Sequence, residues 1–350
     1  MMNMQKSNTG YRKNNIPMQV IEGTYRWYVE QGVDTVEGLN RRIADGSFPD
    51  LVKAADDRYH WYTDMAARAI LESEKPIRLV IIAGPSSSGK TTTTNKIAER
   101  LQEKNLKLVP MVLDNYFFDL EMHPKDEYGD YDFETPQALD LPLINKHLGE
   151  LLAGKEIQMP IYNFKTGLRE KETIPLKIGE DEIILIDSLH GLYGPMTESV
   201  PAENKFRLYI ETLSQLKDLN GEWTRWTDIR LLRRMVRDSW HRSYSPVATI
   251  GHWHYVRKSE MRHIVPFITD TDFVVNGALA YELPIHKKYS FSHLKAAMEK
   301  FGDDPGKRDA YLRAKRVHKL LDTITTVEDD SCVPKKSLLR EFIGGSDYKY

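Results

Sequence analysis

Only one cysteine, Cys332, occurs in the 350 residues of the sequence. A single thiol cannot form an intramolecular disulfide, and it cannot supply the several thiolates of a structural zinc site. Low cysteine usage is typical of proteins that work in a reducing compartment. The sequence therefore argues against a redox role or a structural zinc site, and it favours a cytoplasmic location.

The sequence also lacks an excess of charge of either sign, because 49 Lys and Arg face 51 Asp and Glu, which gives a net charge of −2. Such a chain has no overall field that would attract nucleic acid or an anionic membrane surface. No apolar run approaches the roughly 18 to 20 residues of a membrane helix, and residues 1–15 lack the apolar segment of a secretory signal. We therefore expect no nucleic-acid or membrane partner, and any anion site must be local.

With 41% hydrophobic residues, the chain can bury an ordinary core. Residues 1 to about 20 are polar and predict an arm that is either loose or ordered by a partner. From Gln19 to about Ser73, apolar residues recur at helical spacing in runs that end at glycines or a proline, which predicts a short helical extension. The chain is therefore expected to divide into residues 1–76, an arm with a helical extension, and residues 77–350, the main domain.

Continuous apolar runs rich in β-branched residues mark the strands of the main domain. They cover residues 77–84, 106–114, 182–188 and 271–277, and a helical run from Thr91 to about Lys104 separates the first two. Strands separated by helices indicate an α/β fold with a doubly wound parallel sheet.

Two segments of the main domain do not follow this alternation. Residues from about 115 to 181 are rich in Tyr, Asp, Pro and Gly and predict an insertion over the sheet, with one helix that ends at Gly154. Residues from about 227 to 242 predict a further helix that is rich in arginine.

The sequence Gly-Pro-Ser-Ser-Ser-Gly-Lys-Thr at residues 84–91 matches the phosphate-binding motif G-x-x-x-x-G-K-[ST]. It follows a predicted strand and precedes a predicted helix, as the motif requires, whereas a chance Gly/Ser turn is the alternative. Amides of the loop and the helix N-terminus would surround a β-phosphate, and Lys90 would reach the β and γ oxygens. The Thr91 hydroxyl is a predicted ligand of Mg²⁺. The predicted nucleotide-binding residues are Gly84, Pro85, Ser86, Ser87, Ser88, Gly89, Lys90, Thr91 and Thr92.

Two aspartates end predicted strands at the edge where open α/β sheets bind their ligands. Asp114 is placed to accept a proton from an attacking hydroxyl or to hold a metal-bound water, with a turn cap as the alternative. Asp187 follows Ile-Ile-Leu-Ile in the manner of a carboxylate that orders Mg²⁺, with a structural role as the alternative. Both predicted roles are ones that a phosphoryl-transfer reaction requires.

Four arginines recur at i, i+3, i+4 and i+7 on the predicted helix over 227–242. Four like charges on one helical face are unfavourable unless anions pair with them. Arginine forks suit phosphate oxygens, so this helix is predicted to close as a lid over the nucleotide and the transferred group. A solvated face paired with Asp228 and Asp238 is the alternative. The four residues are Arg230, Arg233, Arg234 and Arg237.

Two weaker features remain. Tyr162 lies in a turn, where it would either stack on a base or cap the core, and the sequence leaves both interpretations open. The group His252, Trp253, His254 and His263 has no carboxylate or cysteine at ligand spacing, so a structural role is a better interpretation than a metal site.

These motifs resemble the phosphoribulokinase/uridine kinase family of P-loop kinases over about residues 77–345. The resemblance is carried by AGPSSSGKTTT, VLDNYFFD, the stretch from YDFETPQ to KTGLR, IILIDSLHGLY and TDIRLLRRMVRD. It implies a P-loop NTPase fold, with helices on both faces of a parallel sheet. The segment from FVVNGALAYEL to SLLREFIGGS is similar to the longer bacterial uridine kinase-like proteins, whose kinase domain follows a TGS domain. Because only about 76 residues precede the kinase segment here, the resemblance implies a version without that domain.

The resemblance also implies roles for single residues. Asp114 would be the carboxylate at the nucleophilic hydroxyl, while Thr91 and Asp187 would surround Mg²⁺. Glu134 would face the ribose of the acceptor, and Tyr162 would lie against its base. Arg234, Arg237 and Arg242 would be arginines of the acceptor site and lid, and Lys90, Asp114 and Arg237 would form the catalytic set.

The sequence departs from the family pattern in four places. The metal-side glutamate is Asp187, the glycine after it is Ser188, and the Asp-His-Pro triplet near the acceptor is replaced by residues 134–136, Glu-Thr-Pro. Gly167 stands where the family has a histidine that helps to read the pyrimidine. Phosphoryl transfer survives these changes, whereas pyrimidine selectivity is expected to be relaxed or redirected.

We therefore expect an ATP- or GTP-dependent and Mg²⁺-dependent kinase that phosphorylates a primary hydroxyl of a small acceptor, with uridine or cytidine as the first choice. A sugar phosphate, a polyol or another small alcohol is the alternative acceptor. A protein that binds ATP, changes shape and signals to a partner without catalysis is the alternative class. A homo-oligomer is compatible with the sequence.

Overall fold

The computed structural model of the protein describes residues 17–125, 131–132, 134–241 and 244–349. The strands are β1 (Leu79–Ala83), β2 (Lys107–Pro110), β3 (Ile157–Met159), β4 (Tyr162–Asn163), β5 (Leu168–Arg169), β6 (Ile174–Leu176), β7 (Glu182–Ser188), β8 (Lys205–Glu211) and β9 (Phe273–Asn276). The α-helices are α1 (Met18–Glu30), α2 (Val36–Ala44), α3 (Phe48–Leu71), α4 (Lys90–Gln102), α5 (Leu141–Leu152), α6 (Trp226–His241), α7 (Pro246–His263), α8 (Glu282–Phe301), α9 (Arg308–Asp322) and α10 (Arg340–Ile343).

A five-stranded parallel sheet in the order β2-β7-β1-β8-β9 forms the centre of the fold. All five residues of β1 are buried, because β7 and β8 flank this strand and helices cover both faces of the sheet. The predicted α/β class and its doubly wound parallel sheet are therefore confirmed. The predicted strand over 106–114 is shorter than expected, since β2 ends at Pro110 and a 3₁₀ turn follows at Leu113–Tyr116.

The central strand β8 was missed in the sequence because charged residues interrupt its apolar run. Lys205 and Glu211 are both buried, yet each has a partner that only the fold supplies. The Lys205 Nζ donates to the Thr197 carbonyl at 2.6 Å, and a Glu211 carboxylate oxygen lies 2.9 Å from the Arg230 Nε. Burial of a charge is tolerated where a hydrogen-bonded partner compensates its desolvation.

Alternate residues of β1 point into two separate hydrophobic cores. Val80 and Ile82 face a large core that contains the extension α1–α3 and the apolar faces of α4 and α6–α9. Leu79 and Ile81 face a smaller core, which α5 closes from the insertion. None of the helices in the described ranges is both long enough and apolar enough to cross a membrane.

The predicted helices of the extension are confirmed as α1, α2 and α3, and they pack against the main domain. The Tyr59 hydroxyl of α3 lies 2.7 Å from the Thr93 Oγ1 of α4. The Asn276 side chain at the end of β9 donates to the Thr24 Oγ1 of α1 at 2.9 Å. The extension therefore shares its core with the sheet, while the division of the chain at residue 76 stays a prediction. Residues 1–16 of the predicted arm lie outside the described residues.

The segment that follows α9 returns across the phosphate-binding loop and buries its apolar side chains there. Leu338, Leu339 and Phe342 are fully buried. Gly89 has a φ of 96°, and a Cβ built on it would lie 2.4 Å from the Leu338 Cδ1. A side chain at position 89 would therefore be excluded both by the left-handed backbone and by this contact.

We expect Leu338→Ala to lower the free energy of unfolding by about 2–5 kcal/mol, because it removes buried methyl groups and leaves a cavity beside the loop. The matched control is Leu312→Ala on α9, where the leucine is 47% exposed and the loss should be small. Urea unfolding of both variants measures the difference. Equal stability losses would contradict the packing described for the C-terminal segment.

Candidate active site

The loop from Gly84 to Gly89 connects β1 to α4 in a tightly packed turn. A Cβ on Gly84 would lie 2.3 Å from the Ile210 carbonyl oxygen, so only glycine lets the loop approach β8 so closely. Ser87 adopts a left-handed φ of 61°. Gly89 is the N-cap of α4, so the amides of the first helical turn lack helical acceptors and provide an anion site.

Lys90 folds back over the loop that precedes it. Its Nζ donates to the Gly84 carbonyl at 3.0 Å and to the Pro85 carbonyl at 3.3 Å. Burial lowers the pKa of Lys90, while the nearby carboxylates of Asp187 and Glu341 act in the opposite direction. The ammonium group therefore lies above the loop, near acidic groups, without a direct ion pair to either of them in the described residues.

Asp114 and Asp187 come together at the carboxyl edge of the sheet because β2 and β7 are neighbours. Asp114 is exposed in the 3₁₀ turn after β2, and Asp187 lies near the end of β7 opposite Ile82. Burial raises the pKa of Asp187 to about 6, and repulsion from Glu341 and Asp114 adds to this shift. Lys90 and the Thr94 hydroxyl lower the same pKa. The net shift shows that this carboxylate is not fully compensated.

The groups at this edge fit Mg²⁺ by their chemistry. Two carboxylates and the exposed Thr91 hydroxyl are hard oxygen donors, and a carboxylate that is only partly compensated, such as Asp187, favours a cation. Within the described ranges no group of three or more His, Cys, Asp or Glu could hold a metal by itself. In the usual Mg²⁺ site of kinases, one or two carboxylates act together with substrate phosphates.

We expect Asp187→Asn to stabilise the nucleotide-free protein at neutral pH. The pKa of Asp187 is raised from 3.8 to about 6, so the folded state disfavours the ionised form and its stability falls as the pH rises through about 6. Thermal unfolding without Mg²⁺ should therefore show a higher Tm for the variant at pH 7.5, and the difference should shrink towards pH 4. The exposed Asp303→Asn serves as the control and should show no such trend. A difference that does not depend on pH would contradict the raised pKa.

The four arginines of α6 separate into two pairs at different depths. Arg230 and Arg233 are only 1% and 0% exposed, so the solvated-face interpretation is wrong for these two. They therefore do not share a solvent-facing side of the helix with Arg234 and Arg237, whose side chains are about 17% exposed. The predicted helix is present, but helical spacing determines only the direction of a side chain around the helix axis and not how deeply the side chain is buried.

Arg230 and Arg233 are held by buried carboxylates and contact the loop from beneath. Arg230 Nη2 donates to Glu260 at 2.9 Å, and Arg233 Nη2 donates to Glu282 at 2.9 Å. Both arginines also donate to carbonyl oxygens, from Arg230 to Ser86 at 3.1 Å, and from Arg233 to Ser88 at 3.2 Å and to Gly277 at 2.6 Å. These contacts fix the carbonyl groups of the loop on the α6 side.

Arg234 and Arg237 lie nearer the open side of the site. Arg234 Nη1 donates to the Ser86 hydroxyl at 2.8 Å and lies 3.9 Å from a Glu134 carboxylate oxygen. Arg237 is 3.4 Å from Asp238, and its charge is close enough to lower the pKa of Lys90. The predicted partner Asp228 instead pairs with Arg316, at 2.7 Å. Arg242, the remaining predicted lid arginine, lies outside the described residues.

We expect Arg233→Ala to destabilise the fold by about 3–5 kcal/mol, because it leaves the Glu282 carboxylate buried without its cation. Arg237→Ala should cost far less stability, since its partner Asp238 keeps Arg234 at 2.9 Å. Chemical denaturation of both variants measures this contrast. Similar stability losses would show that the two pairs do not differ in depth as described.

Glu134 lies beside Arg234 in a partly buried position. Burial raises the pKa of Glu134, and the Arg234 guanidinium lowers it. A buried histidine, His190, was missed in the sequence because it follows β7 in an apolar run without any motif. Burial lowers its pKa to about 3, and its ring centroid lies 5.9 Å from that of His263. His190 is therefore neutral at physiological pH.

Tyr162 belongs to an aromatic cluster formed with Phe117, His123 and Phe164. Its ring centroid lies 5.5, 6.4 and 4.9 Å from theirs, respectively. Tyr162 is 5% exposed, and its hydroxyl has no hydrogen-bond partner among the described residues. The Tyr162 amide donates to the Asn115 side chain at 3.2 Å, which places the cluster beside Asp114. His123 was missed in the sequence because no motif marks it.

Gly167 occupies a turn that favours glycine for a local reason. Its φ is 72°, and an added Cβ would lie 3.0 Å from the Leu120 Cβ. A histidine at this position would be strained by the left-handed backbone and crowded by Leu120. The imidazole of the aromatic cluster is instead that of His123, whose ring is stacked on Tyr162.

The His and Trp residues of α7 lie in different surroundings. Trp253 is 1% exposed and packs beneath the Arg230 guanidinium, 5.9 Å from the ring centroid. The rings of His252 and His254 pack against Tyr255. His263 packs against His190. These are packing contacts, and the structural role of the four residues stays a prediction.

A phosphate-binding loop between β1 and α4, with two carboxylates at the same edge of a parallel sheet, defines the class of P-loop NTPases. Residues 79–279, more than half of the chain, match the Phosphoribulokinase / Uridine kinase family, so the chain belongs to that family. It is accordingly a P-loop kinase of small substrates.

Two of the relatives that match the chain carry uridine kinase names. Uridine-cytidine kinase B of Dictyostelium discoideum is 27% identical over 56% of this chain and 73% of its own length. Uridine kinase of Mycoplasma genitalium is 32% identical over 50% of this chain and 73% of its own length. Among solved structures, a possible uridine kinase from Bacillus stearothermophilus is 20% identical with a TM-score of 0.36, and the match covers 42% of this chain and 78% of that one.

Proposed function

We propose that the protein transfers the γ-phosphoryl group of ATP to the primary hydroxyl of a nucleoside such as uridine or cytidine. The observation that carries the proposal is the position of Asp114. This carboxylate is close enough to Asp187 to raise the pKa of that residue, and the next residue in the chain, Asn115, accepts a hydrogen bond from the Tyr162 amide of the aromatic cluster. The uridine kinase names of the two relatives described above support the same acceptor class.

Each group of the site has a part in this reaction. The first-turn amides of α4 and Lys90 bind and orient the phosphates, and Arg237 adds positive charge beside the transferred group. Asp114 accepts the proton of the acceptor hydroxyl as the hydroxyl oxygen attacks the γ-phosphoryl group of ATP in line. Mg²⁺, which Thr91 and Asp187 would hold, neutralises phosphate charge when bound. Most of the rate enhancement would come from positioning and charge stabilisation.

The acceptor would be framed from two sides. Glu134, which Arg234 orients from 3.9 Å, would face the ribose hydroxyls. The aromatic cluster of Phe117, His123, Tyr162 and Phe164 would face the base by stacking. Because the position of the usual base-reading histidine is occupied by Gly167, we expect uridine and cytidine to differ by less than about tenfold in kcat/KM.

The location, the partners and the oligomeric state of the protein stay predictions. We expect a cytoplasmic protein that acts on a small molecule without a nucleic-acid partner, in keeping with its net charge of −2 and its single cysteine. A homo-oligomer is compatible with this function.

The decisive experiment measures ADP formation with ATP and Mg²⁺ across a panel of nucleosides, sugars, sugar phosphates and polyols, with mass analysis of the product. ADP formed in step with added uridine or cytidine supports the proposal. Robust phosphorylation of a sugar or polyol with no nucleoside product would overturn the acceptor class. Slow ATP hydrolysis at a rate that no acceptor changes would indicate a nucleotide-dependent binding protein instead.

We expect Asp114→Asn to lower kcat by about 10²- to 10⁴-fold, because the amide cannot accept the proton of the acceptor hydroxyl. ADP affinity should change little if Asp114 acts mainly as the base, and should fall in Mg²⁺ if it acts mainly on the metal. Steady-state kinetics and calorimetric titration separate the two. Lys90→Ala is the positive control and should also abolish turnover. Unchanged acceptor phosphorylation in Asp114→Asn would remove Asp114 from the mechanism.

A further inference from the structure

A carboxylate from the far end of the chain lies at the N-terminus of the phosphate-binding helix. The Glu341 Oε2 of α10 accepts a hydrogen bond from the Thr92 amide at 3.1 Å and another from the Thr92 hydroxyl at 2.6 Å. Glu341 is only 5% exposed. Thr92 is the third residue of α4, so its amide is one of the helix donors that have no acceptor within the helix.

These donors are the ones that a nucleotide phosphate would use. A helix N-terminus behind a glycine-rich loop binds phosphate through its first-turn amides. A buried carboxylate on one of these amides supplies the same kind of negative charge from within the protein. Its charge also reaches the neighbouring groups of the site, because Glu341 raises the pKa of both Lys90 and Asp187.

The segment that carries Glu341 is firmly attached on both sides of the carboxylate. Leu338 and Phe342 are fully buried. Lys336 pairs with Glu99 of α4 at 3.0 Å, and the Tyr348 hydroxyl donates to the same glutamate at 3.0 Å. These contacts hold α10 against α4, so the carboxylate remains at Thr92 unless the segment or the side chain rearranges.

We propose that Glu341 is an internal anion that occupies part of the phosphate site, and that a nucleotide binds fully only after this carboxylate has left the Thr92 amide. The C-terminal segment therefore sets the nucleotide affinity of the protein. This inference depends on the proposed function only in assuming that nucleotide phosphates bind at the first turn of α4. Two anions cannot share one amide donor in a buried site without strong repulsion.

Calorimetric titration with ADP and Mg²⁺ tests the proposal. Glu341→Gln keeps an acceptor for Thr92 but removes the charge, so ADP should bind at least about fivefold more tightly than to the unaltered protein. Glu341→Ala removes the acceptor as well and should bind at least as tightly as Glu341→Gln. Such a gain in affinity cannot arise from a damaged fold, and thermal unfolding without ADP verifies that both variants are folded.

The matched control is Glu99→Gln. This variant weakens the contacts of Lys336 and Tyr348 but leaves the charge at Thr92 in place, so its ADP affinity should change by less than that of Glu341→Gln. A gain in Glu99→Gln equal to that in Glu341→Gln would show that loosening the segment, and not the carboxylate, sets affinity, and would overturn the proposal.

Equal or weaker ADP binding by Glu341→Gln would also overturn it, because Glu341 would then be a structural cap or a ligand-supporting group. The proposed function fails in a different way. If the unaltered protein binds ADP and Lys90→Ala binds it equally well, the nucleotide is not at the loop, and the kinase assignment of the site is wrong whatever Glu341 does.

Discussion

The buried ion pair between Arg233 and Glu282 lies beneath the phosphate-binding loop, and the shape of the site depends on it. Arg233 is fully buried and also donates to the Gly277 carbonyl at 2.6 Å and the Ser88 carbonyl at 3.2 Å. One guanidinium thus joins α6, α8, the end of β9 and the loop. Because a buried charge is stable only with its partners in place, these elements form a single unit in which the loop cannot shift alone.

The sequence predicted those features that are local in the chain. The loop at 84–91, the strand before it and Asp187 at the end of another apolar run were all recognisable, because motif and period lie within a few residues. The strand β8 was not, since Lys205 and Glu211 look unfavourable in a central strand until Thr197 and Arg230 are brought to them. Alternation of apolar residues in Phe-Arg-Leu-Tyr-Ile was the signal that could have revealed it.

The site residues show the same limit. Periodicity placed the α6 arginines on one side of a helix, but their burial depends on Glu260 and Glu282, which lie far away in the chain. His123 carries no motif, and its stacking on Tyr162 arises only when the insertion folds over the sheet edge. The substitution at Gly167 looked like the loss of a base contact. The structure adds that the local turn itself favours glycine, so backbone conformation alone is a sufficient reason for this departure.

The hydrogen bond between Tyr59 and Thr93 has a consequence for how such a chain can change over time. Both side chains are buried, and Thr93 also donates to the Gly89 carbonyl at 2.8 Å, so a residue of the N-terminal extension is one contact away from the phosphate-binding loop. A mutation that alters α3 therefore reaches the nucleotide site through α4. Positions 59 and 93 are therefore coupled, so a change at one of them should alter which residues the other position tolerates.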